Sequence, residues 1–312
     1  MKCINKWICL SLLIAVSCVS GCGKTSAAIE QPYDVYATAA DFGLSSNGTA
    51  EAKSYFASDL CVSEDVAIGT DSTDSQVAEG AGTFNLETNT VVYAKNLYER
   101  LYPASTTKIL TAYIALKYCD DLDAMVTVSE NAVNQASDSS VCNLKAGDVI
   151  RLRDLLYGLM LRSGNDAAVA IAEYISGDVD SFAALMNQEA AAMGATRSHF
   201  VNPNGLPDEN HYTCVYDMYL IFSNAIKNDT FVSIIGTTSY DVTYTDASGE
   251  AVTHTWENTN QYLTGNATTP DGFQIVGGKT GTTGEAGYCL VLYSYKHRSR
   301  CNTHRIPAVP AQ

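Results

Sequence analysis

Apolar residues recur at helical spacing through the middle of the chain and at strand spacing toward both ends. Leu152, Leu155, Leu156 and Leu159 fall on one helical face within 151–161, which predicts a helix with one side buried. Ser163-Gly164 interrupts that period, and an Ala-rich helix resumes over 165–175 until Gly177 stops it. Ser181 is placed to cap a third helix running to Met193, with Gly194 as its stop. An earlier helical block opens near Ser105 and ends at Asp120-Asp121. Elsewhere the period is two. Residues 83–86 and 91–94 flank a polar turn, as do 241–245 and 251–256 around Ala247-Ser248-Gly249, so both read as hairpins. Residues 274–280 and 287–295 read as two further strands. Strands at both ends with helices between them define an α+β body whose helices are partly segregated.

Two segments fall outside this pattern. Lys2 and Lys6 precede an apolar run over 7–19, the layout of a secretory signal and too short to span a membrane comfortably. The run ends Val19-Ser20-Gly21-Cys22, which resembles the bacterial lipobox. That reading removes residues 1–21, acylates Cys22 and tethers the protein to the outer face of the cell membrane; an ordinary signal cut nearby is the alternative. Residues 22–80 are rich in Ser, Thr, Ala, Gly and Asp and read as a tether.

Composition narrows the function. The chain has 34 acidic and 19 basic residues in 312, a formal charge of −15, which argues against nucleic acid as a partner because phosphate contacts need clustered Lys and Arg. Beyond Cys22, the cysteines at 61, 119, 142, 214, 289 and 301 are scattered, with no CxxC, and sequence cannot pair them. The five histidines lack HExxH or Cys/His spacing, so neither a metal nor another cofactor is expected.

Three short motifs carry the candidate chemistry. Ser105-Thr106-Thr107-Lys108 opens a helix. There, backbone N–H groups and the dipole favour negative charge, and Lys108 lies one turn from Ser105. A serine hydroxyl needs a base, and an amine serves as one only when its pKa falls. Taken alone, the motif also fits an N-capping serine with a solvated lysine. Ser163-Gly164-Asn165 sits in the break between two helices, where a hydroxyl and a carboxamide can face a substrate; alone, it also fits a plain helix break. Gly278-Lys279-Thr280-Gly281 invites a phosphate-loop reading, but Phe273 stands where the first glycine of that frame belongs, and a strand runs through the lysine. As a strand, Lys279-Thr280-Gly281 can pair with an extended peptide.

In this order, Ser-x-x-Lys, Ser-x-Asn and Lys-Thr-Gly resemble the penicillin-recognising serine enzymes. The sequences Pro103-Ala104-Ser105, Asn202-Pro203-Asn204-Gly205-Leu206-Pro207, His211-Tyr212-Thr213 and Gly284-Glu285-Ala286-Gly287-Tyr288 look like the D-alanyl-D-alanine carboxypeptidase branch. The resemblance implies a β-lactamase/transpeptidase-like fold, with an antiparallel sheet flanked by helices and a separate helical lobe. It also implies roles for the residues. Ser105 would be the nucleophile and neutral Lys108 its base. Ser163 would relay a proton and Asn165 would orient the substrate amide. Lys279 would help keep Lys108 neutral by like-charge repulsion and, with Thr280, draw the substrate carboxylate. Gly281 would permit close approach, and the N–H groups of Ser105 and Thr282 would form the oxyanion hole. The implied partners are a peptidoglycan stem peptide ending in D-Ala-D-Ala, and β-lactams. No Glu-x-x-x-Asn lies between Ser163 and Lys279, which favours a peptidase over an efficient β-lactamase; transpeptidation would use the same residues.

The catalytic domain is expected over 81–295, followed by a tail over 296–312 that departs from the family. Lys296, Arg298, Arg300 and Arg305 follow with no acid after Glu285, a shift that reads as a frame change or truncation, with a natural basic tail as the alternative. On that reading, one or more C-terminal strands are missing. No arginine for the substrate carboxylate has a secure counterpart, and an inactive, ligand-binding lipoprotein stays open as the alternative to the enzyme.

Overall fold

The computed structural model describes residues 57, 59–69, 77–298 and 301–307, with 297–298 and 301–307 described by backbone alone. The signal segment 1–21 and Cys22 lie outside these residues, and the body treated below belongs to the unit Asp59–Gln312.

Local chemistry sets the hairpins. Strands β1 (Ala81–Asn85) and β2 (Thr90–Lys95) pair antiparallel. Asn85 Oδ1 accepts from the N–H groups of Glu87 and Thr88, the side-chain bonding that places Asn in turns. A four-stranded antiparallel sheet runs β3 (Met125–Thr127), β4 (Val149–Arg151), β5 (Ser239–Thr245), β6 (Ala251–Glu257). Its β5–β6 turn is held by Asp246 Oδ1, which accepts from Ser248 and Glu250 N–H, and Gly249 takes φ +90° there.

Between the strands lie the helices. A 3-10 turn, Ala104–Thr107, leads into α1 (Lys108–Tyr118). The others are α2 (Glu130–Val133), α3 (Leu152–Leu161), α4 (Asn165–Ser176), α5 (Val179–Ala192), α6 (Val215–Ala225) and α7 (Asp229–Ile235). Seven of the first eight residues of α1 are buried, from Lys108 to Ala115, because α3, α4, α5, α6 and α7 all pack on it. A helix buried on nearly every side cannot slide or tilt without disturbing the core. The cap of α5 differs from expectation. Asp178, not Ser181, accepts the N–H bond, from Ser181 at 2.7 Å. Both residue types cap well, and the helix starts at Val179, so Ser181 falls inside the first turn and its hydroxyl bonds back to Asp178.

The larger sheet corrects a second expectation. Strands β7 (Phe273–Thr283) and β8 (Gly287–Arg298) are longer than the alternation predicts, and β9 (Cys301–Pro307) follows them. The antiparallel order is β2-β1-β9-β8-β7. No strand is missing beside β8: β9 pairs Ser294–Arg298 on one side and Thr83–Asn85 on the other. The basic composition of this stretch suggested a foreign tail, but ladder membership depends on backbone N–H and C=O groups, which composition does not report.

The tether is shorter than expected too. Cys61 is fully buried and its N–H donates to Tyr219 Oη at 2.8 Å, while Ile68 bridges to Ala94. Residues 59–69 therefore pack on the body. The cysteines at 61, 119, 142, 214 and 289 are free thiols.

Because β9 alone joins the β1–β2 hairpin to β8, removing residues 299–312 is expected to expose two sheet edges. The thermal midpoint should fall by more than about 5 °C. Circular dichroism melting with light scattering checks this; an unchanged midpoint would mean that β9 carries no stability.

Candidate active site

The Ser-x-x-Lys motif does not open α1 as a simple cap would. Ser105 lies in the preceding 3-10 turn and Lys108 is the first residue of α1. Ala104, a residue with a Cβ, takes φ +47° just before the serine, a strained backbone of the kind that persists where packing over-determines it. The turn packs against β7 and β8. A Cβ on Gly281 would fall 2.9 Å from Ser105 N, so the glycine lets the β7 backbone approach the Ser105 amide.

Lys108 is fully buried. Its Nζ lies 2.9 Å from Ser105 Oγ, 2.8 Å from Asn165 Oδ1 and 2.6 Å from the Asn204 carbonyl oxygen. The latter two partners only accept. In a neutral amine, both N–H bonds are therefore committed to Asn165 and Asn204, and the lone pair is left facing the Ser105 hydroxyl. Burial first, and the Lys279 charge second, hold Lys108 well below the usual lysine range. Removing water around an ammonium penalises charge more than one neighbouring cation does, so Lys279 adds to the effect of burial.

Ser163 and Asn165 occupy the break between α3 and α4. Ser163 takes φ +59°, and its Oγ accepts from Lys279 Nζ at 2.9 Å. Asn165 uses its carbonyl oxygen on Lys108, which leaves its amide nitrogen to face a substrate. Its backbone N–H donates to the Ser140 carbonyl at 2.8 Å. Next to it, buried Asp166 accepts from the N–H groups of Cys142 and Leu144, so the 138–144 loop and the Ser-Gly-Asn break are held as one wall.

Lys279 is buried in β7, and burial lowers its pKa to about 7. Its Nζ also donates to the Thr280 carbonyl at 2.6 Å. Thr282 is exposed. A cleft of about 320 Å³ runs between these walls, lined by Ser105, Asn165, Asn204 and Thr282 among others. All eight sequence-predicted site residues other than Cys22 are thus brought to one place. Among the described residues, no cluster of His, Cys, Asp and Glu is arranged to hold a metal.

Sequence reasoning missed two supports. The Asn204 carbonyl acts through the backbone, so no side-chain identity announces it. It is carried by a turn in which Asn202 Oδ1 accepts from Gly205 N–H at 2.7 Å. Gly205 takes φ +87°, and a Cβ there would run into the Ala104 carbonyl oxygen. Buried His211 braces the same turn from behind. Its Nδ1 accepts from Val201 N–H, so Nε2 carries the proton toward Thr107 Oγ1 at 2.9 Å. Burial lowers the His211 pKa to about 4, which keeps the ring neutral. The signal for both was the stretch 200–213, quoted for its resemblance without a role.

Comparison with known proteins agrees with this geometry. The sequence profile of the D-alanyl-D-alanine carboxypeptidase family matches residues 69–307. The chain belongs to that family. It is 35% identical over 228 residues to the D-alanyl-D-alanine carboxypeptidase DacF of Bacillus subtilis, covering 72% of this chain and 55% of that protein. It is 37% identical over 225 residues to a D-alanyl-D-alanine carboxypeptidase of Streptomyces strain K15, covering 69% and 75%. The chain thus spans little more than half the length of the Bacillus relative. The crystal structure of the Streptomyces K15 DD-transpeptidase superposes with a TM-score of 0.68 at 34% identity, over 75% of this chain and 90% of that one. The family match includes β9, which places the strand inside the domain.

In this family member, Gly205→Ala should push the 202–206 turn away from Ala104 and withdraw the Asn204 carbonyl from Lys108. Acylation of Ser105 is expected to slow by at least about tenfold, roughly the loss of one buried hydrogen bond, as read by the rate of fluorescent-penicillin labelling. A wild-type rate would show that the turn does not position Lys108.

Proposed function

We propose that this protein is a serine D-alanyl-D-alanine carboxypeptidase of the cell wall. The observation that carries the reading is the Lys108 amine, buried beside Ser105 Oγ with both of its N–H bonds directed elsewhere. Ser105 Oγ attacks the carbonyl between two D-alanines of a peptidoglycan stem peptide, and its proton passes to Lys108. The N–H groups of Ser105 and Thr282 hold the developing oxyanion, an interaction worth about 3 kcal/mol in comparable sites. Asn165 Nδ2 orients the substrate amide, and the extended peptide lies along Lys279-Thr280-Gly281.

The leaving amine must receive a proton as the C–N bond breaks. Ser163 Oγ, held by Lys279 Nζ, relays to the leaving amine the proton that Lys108 took from Ser105, so Lys108 is neutral again before water attacks. Water then cleaves the acyl-enzyme and releases the peptide shortened by one D-alanine. A β-lactam presents a strained amide to the same serine and acylates it. The lipobox-like Val19-Ser20-Gly21-Cys22 supports the further reading of an acylated Cys22 that tethers the body to the outer face of the membrane.

Fluorescent penicillin should label the wild type and leave Ser105→Ala unlabelled, and a peptide ending in D-Ala-D-Ala should release D-alanine at a rate that Ser105→Ala abolishes. Absence of any Ser105-dependent label on folded protein would defeat the reading.

The two lysines also set the pH profile. As pH falls through the depressed Lys108 pKa, the lone pair is protonated and activity drops. As pH rises through about 7, Lys279 loses its proton, and with it the positive charge that draws the substrate carboxylate. The profile of kcat/KM is expected to be bell-shaped, and Lys279→Arg should move the alkaline limb up by more than two pH units because a guanidinium stays charged. An alkaline limb unmoved in that variant would assign it to another group.

A further inference from the structure

Thr111 lies one turn beyond Lys108 on the same face of α1. It is fully buried, and the acylation chemistry above makes no use of it. Threonines inside helices commonly turn the hydroxyl back on the carbonyl one turn earlier. Thr111 instead sends its hydroxyl across to another segment, where Oγ1 donates to the Pro203 carbonyl at 2.7 Å. The next carbonyl along that segment, Asn204, accepts from Lys108 Nζ at 2.6 Å. Two consecutive carbonyls are therefore met by two side chains from one face of one helix.

The pairing bears on direction. The proline ring fixes φ at Pro203, so the freedom left at that residue is the rotation that swings its carbonyl. The Thr111 bond stops that rotation and sets the plane of the Pro203–Asn204 peptide. The following peptide carries the Asn204 carbonyl, and its far end is held where Gly205 N–H donates to Asn202 Oδ1 at 2.7 Å. Upstream, Asn187 of α5 grips Phe200 with both ends of its carboxamide, at 2.8 Å each. The joint at Pro203 thus lies between two fixed points, and Thr111 is the side chain that closes it.

We propose that Thr111 is a positioning residue for the base: its hydroxyl aims the Asn204 carbonyl at Lys108 and so keeps the lone pair of the neutral amine on Ser105 Oγ. The proposal rests on the acyl-transfer reading above. Without the hydroxyl, the Asn204 carbonyl can swing off Nζ, one N–H bond of the amine is released, and Asn165 alone directs the lone pair. A second consequence concerns protons. A carbonyl oxygen beside Nζ stabilises an ammonium more than an amine, so withdrawing it lowers the Lys108 pKa further, whereas water entering a loosened core raises it. The titratable groups that face Lys108 are Lys279 of β7, Cys142 and Asp166 of the opposite wall, and His211 behind the turn. A substitution at Thr111 leaves all four in place.

The test follows acylation of the full-length chain by fluorescent penicillin across pH. Thr111→Val keeps the branched shape and removes the hydroxyl, and Thr111→Ser keeps the hydroxyl. Thr111→Cys, whose S–H is a weak donor, takes the place of the valine variant if circular dichroism shows that one unfolded. The plateau rate of Thr111→Val should fall roughly tenfold, about the loss of one buried hydrogen bond. Its acid limb should move to lower pH while the alkaline limb stays, and Thr111→Ser should recover both. A wild-type plateau in the folded variant would mean that the hydroxyl does not aim the carbonyl. A slower plateau whose acid limb stays or moves to higher pH would mean that it only seals the core. Either overturns the proposal and leaves the parent reading standing, since Ser105-dependent labelling of the wild type tests that separately. Absence of that label would overturn the reading and the positioning role with it.

Discussion

The site depends on one lysine amine kept away from water. Lys108 is the first residue of a helix that five others enclose, so its Nζ has only the partners the fold supplies. Two of these accept its hydrogens and the third is the hydroxyl that the proposed reaction deprotonates. Burial lowers its pKa, and the two acceptors take the N–H bonds of the neutral amine, which leaves its lone pair toward Ser105. Either without the other would leave a weak base: a solvated amine stays protonated near neutral pH, and a neutral amine free to rotate points its lone pair anywhere.

Much of the surrounding architecture keeps those acceptors in place. Asn165 is held by the Ser140 carbonyl and by Asp166 beside it, which gathers the 138–144 loop. The Asn204 carbonyl rides on a turn pressed against Ala104 and braced by neutral His211. Positive φ at Ala104 and Ser163 marks the points where the chain is bent to bring a serine hydroxyl to an amine, once toward Lys108 and once toward Lys279. Such strain persists where packing over-determines it: the main core holds the helices on either side of Ser163, and Ala104 packs in a smaller cluster with Ala286 and Cys289.

The sequence was most legible where one residue type does one thing over a short span. Both hairpins, the Leu-rich helix and the helix stop at Gly177 appear where their periods and turn residues place them. The three motifs were also visible, though each alone fitted an ordinary cap, break or strand. Legibility failed where the deciding group was backbone. The Asn204 carbonyl and the pairing of β9 carry no side-chain signature. The basic stretch after β8 misled for the same reason, because its residues differ from the family's habit while its backbone still completes the ladder.

The amino-acid sequence by itself determined which groups are available: a serine and a lysine one turn apart, a hydroxyl and a carboxamide in a helix break, and a lysine in a glycine-rich strand. It also determined the α+β plan, since hydrophobic period is a local property that each segment carries within itself. Only the tertiary structure decided which lysine meets the Ser105 hydroxyl, why burial lowers its pKa and which acceptors take its N–H bonds. Desolvation, acceptor geometry and sheet order arise between segments far apart in the chain, and no single segment contains them.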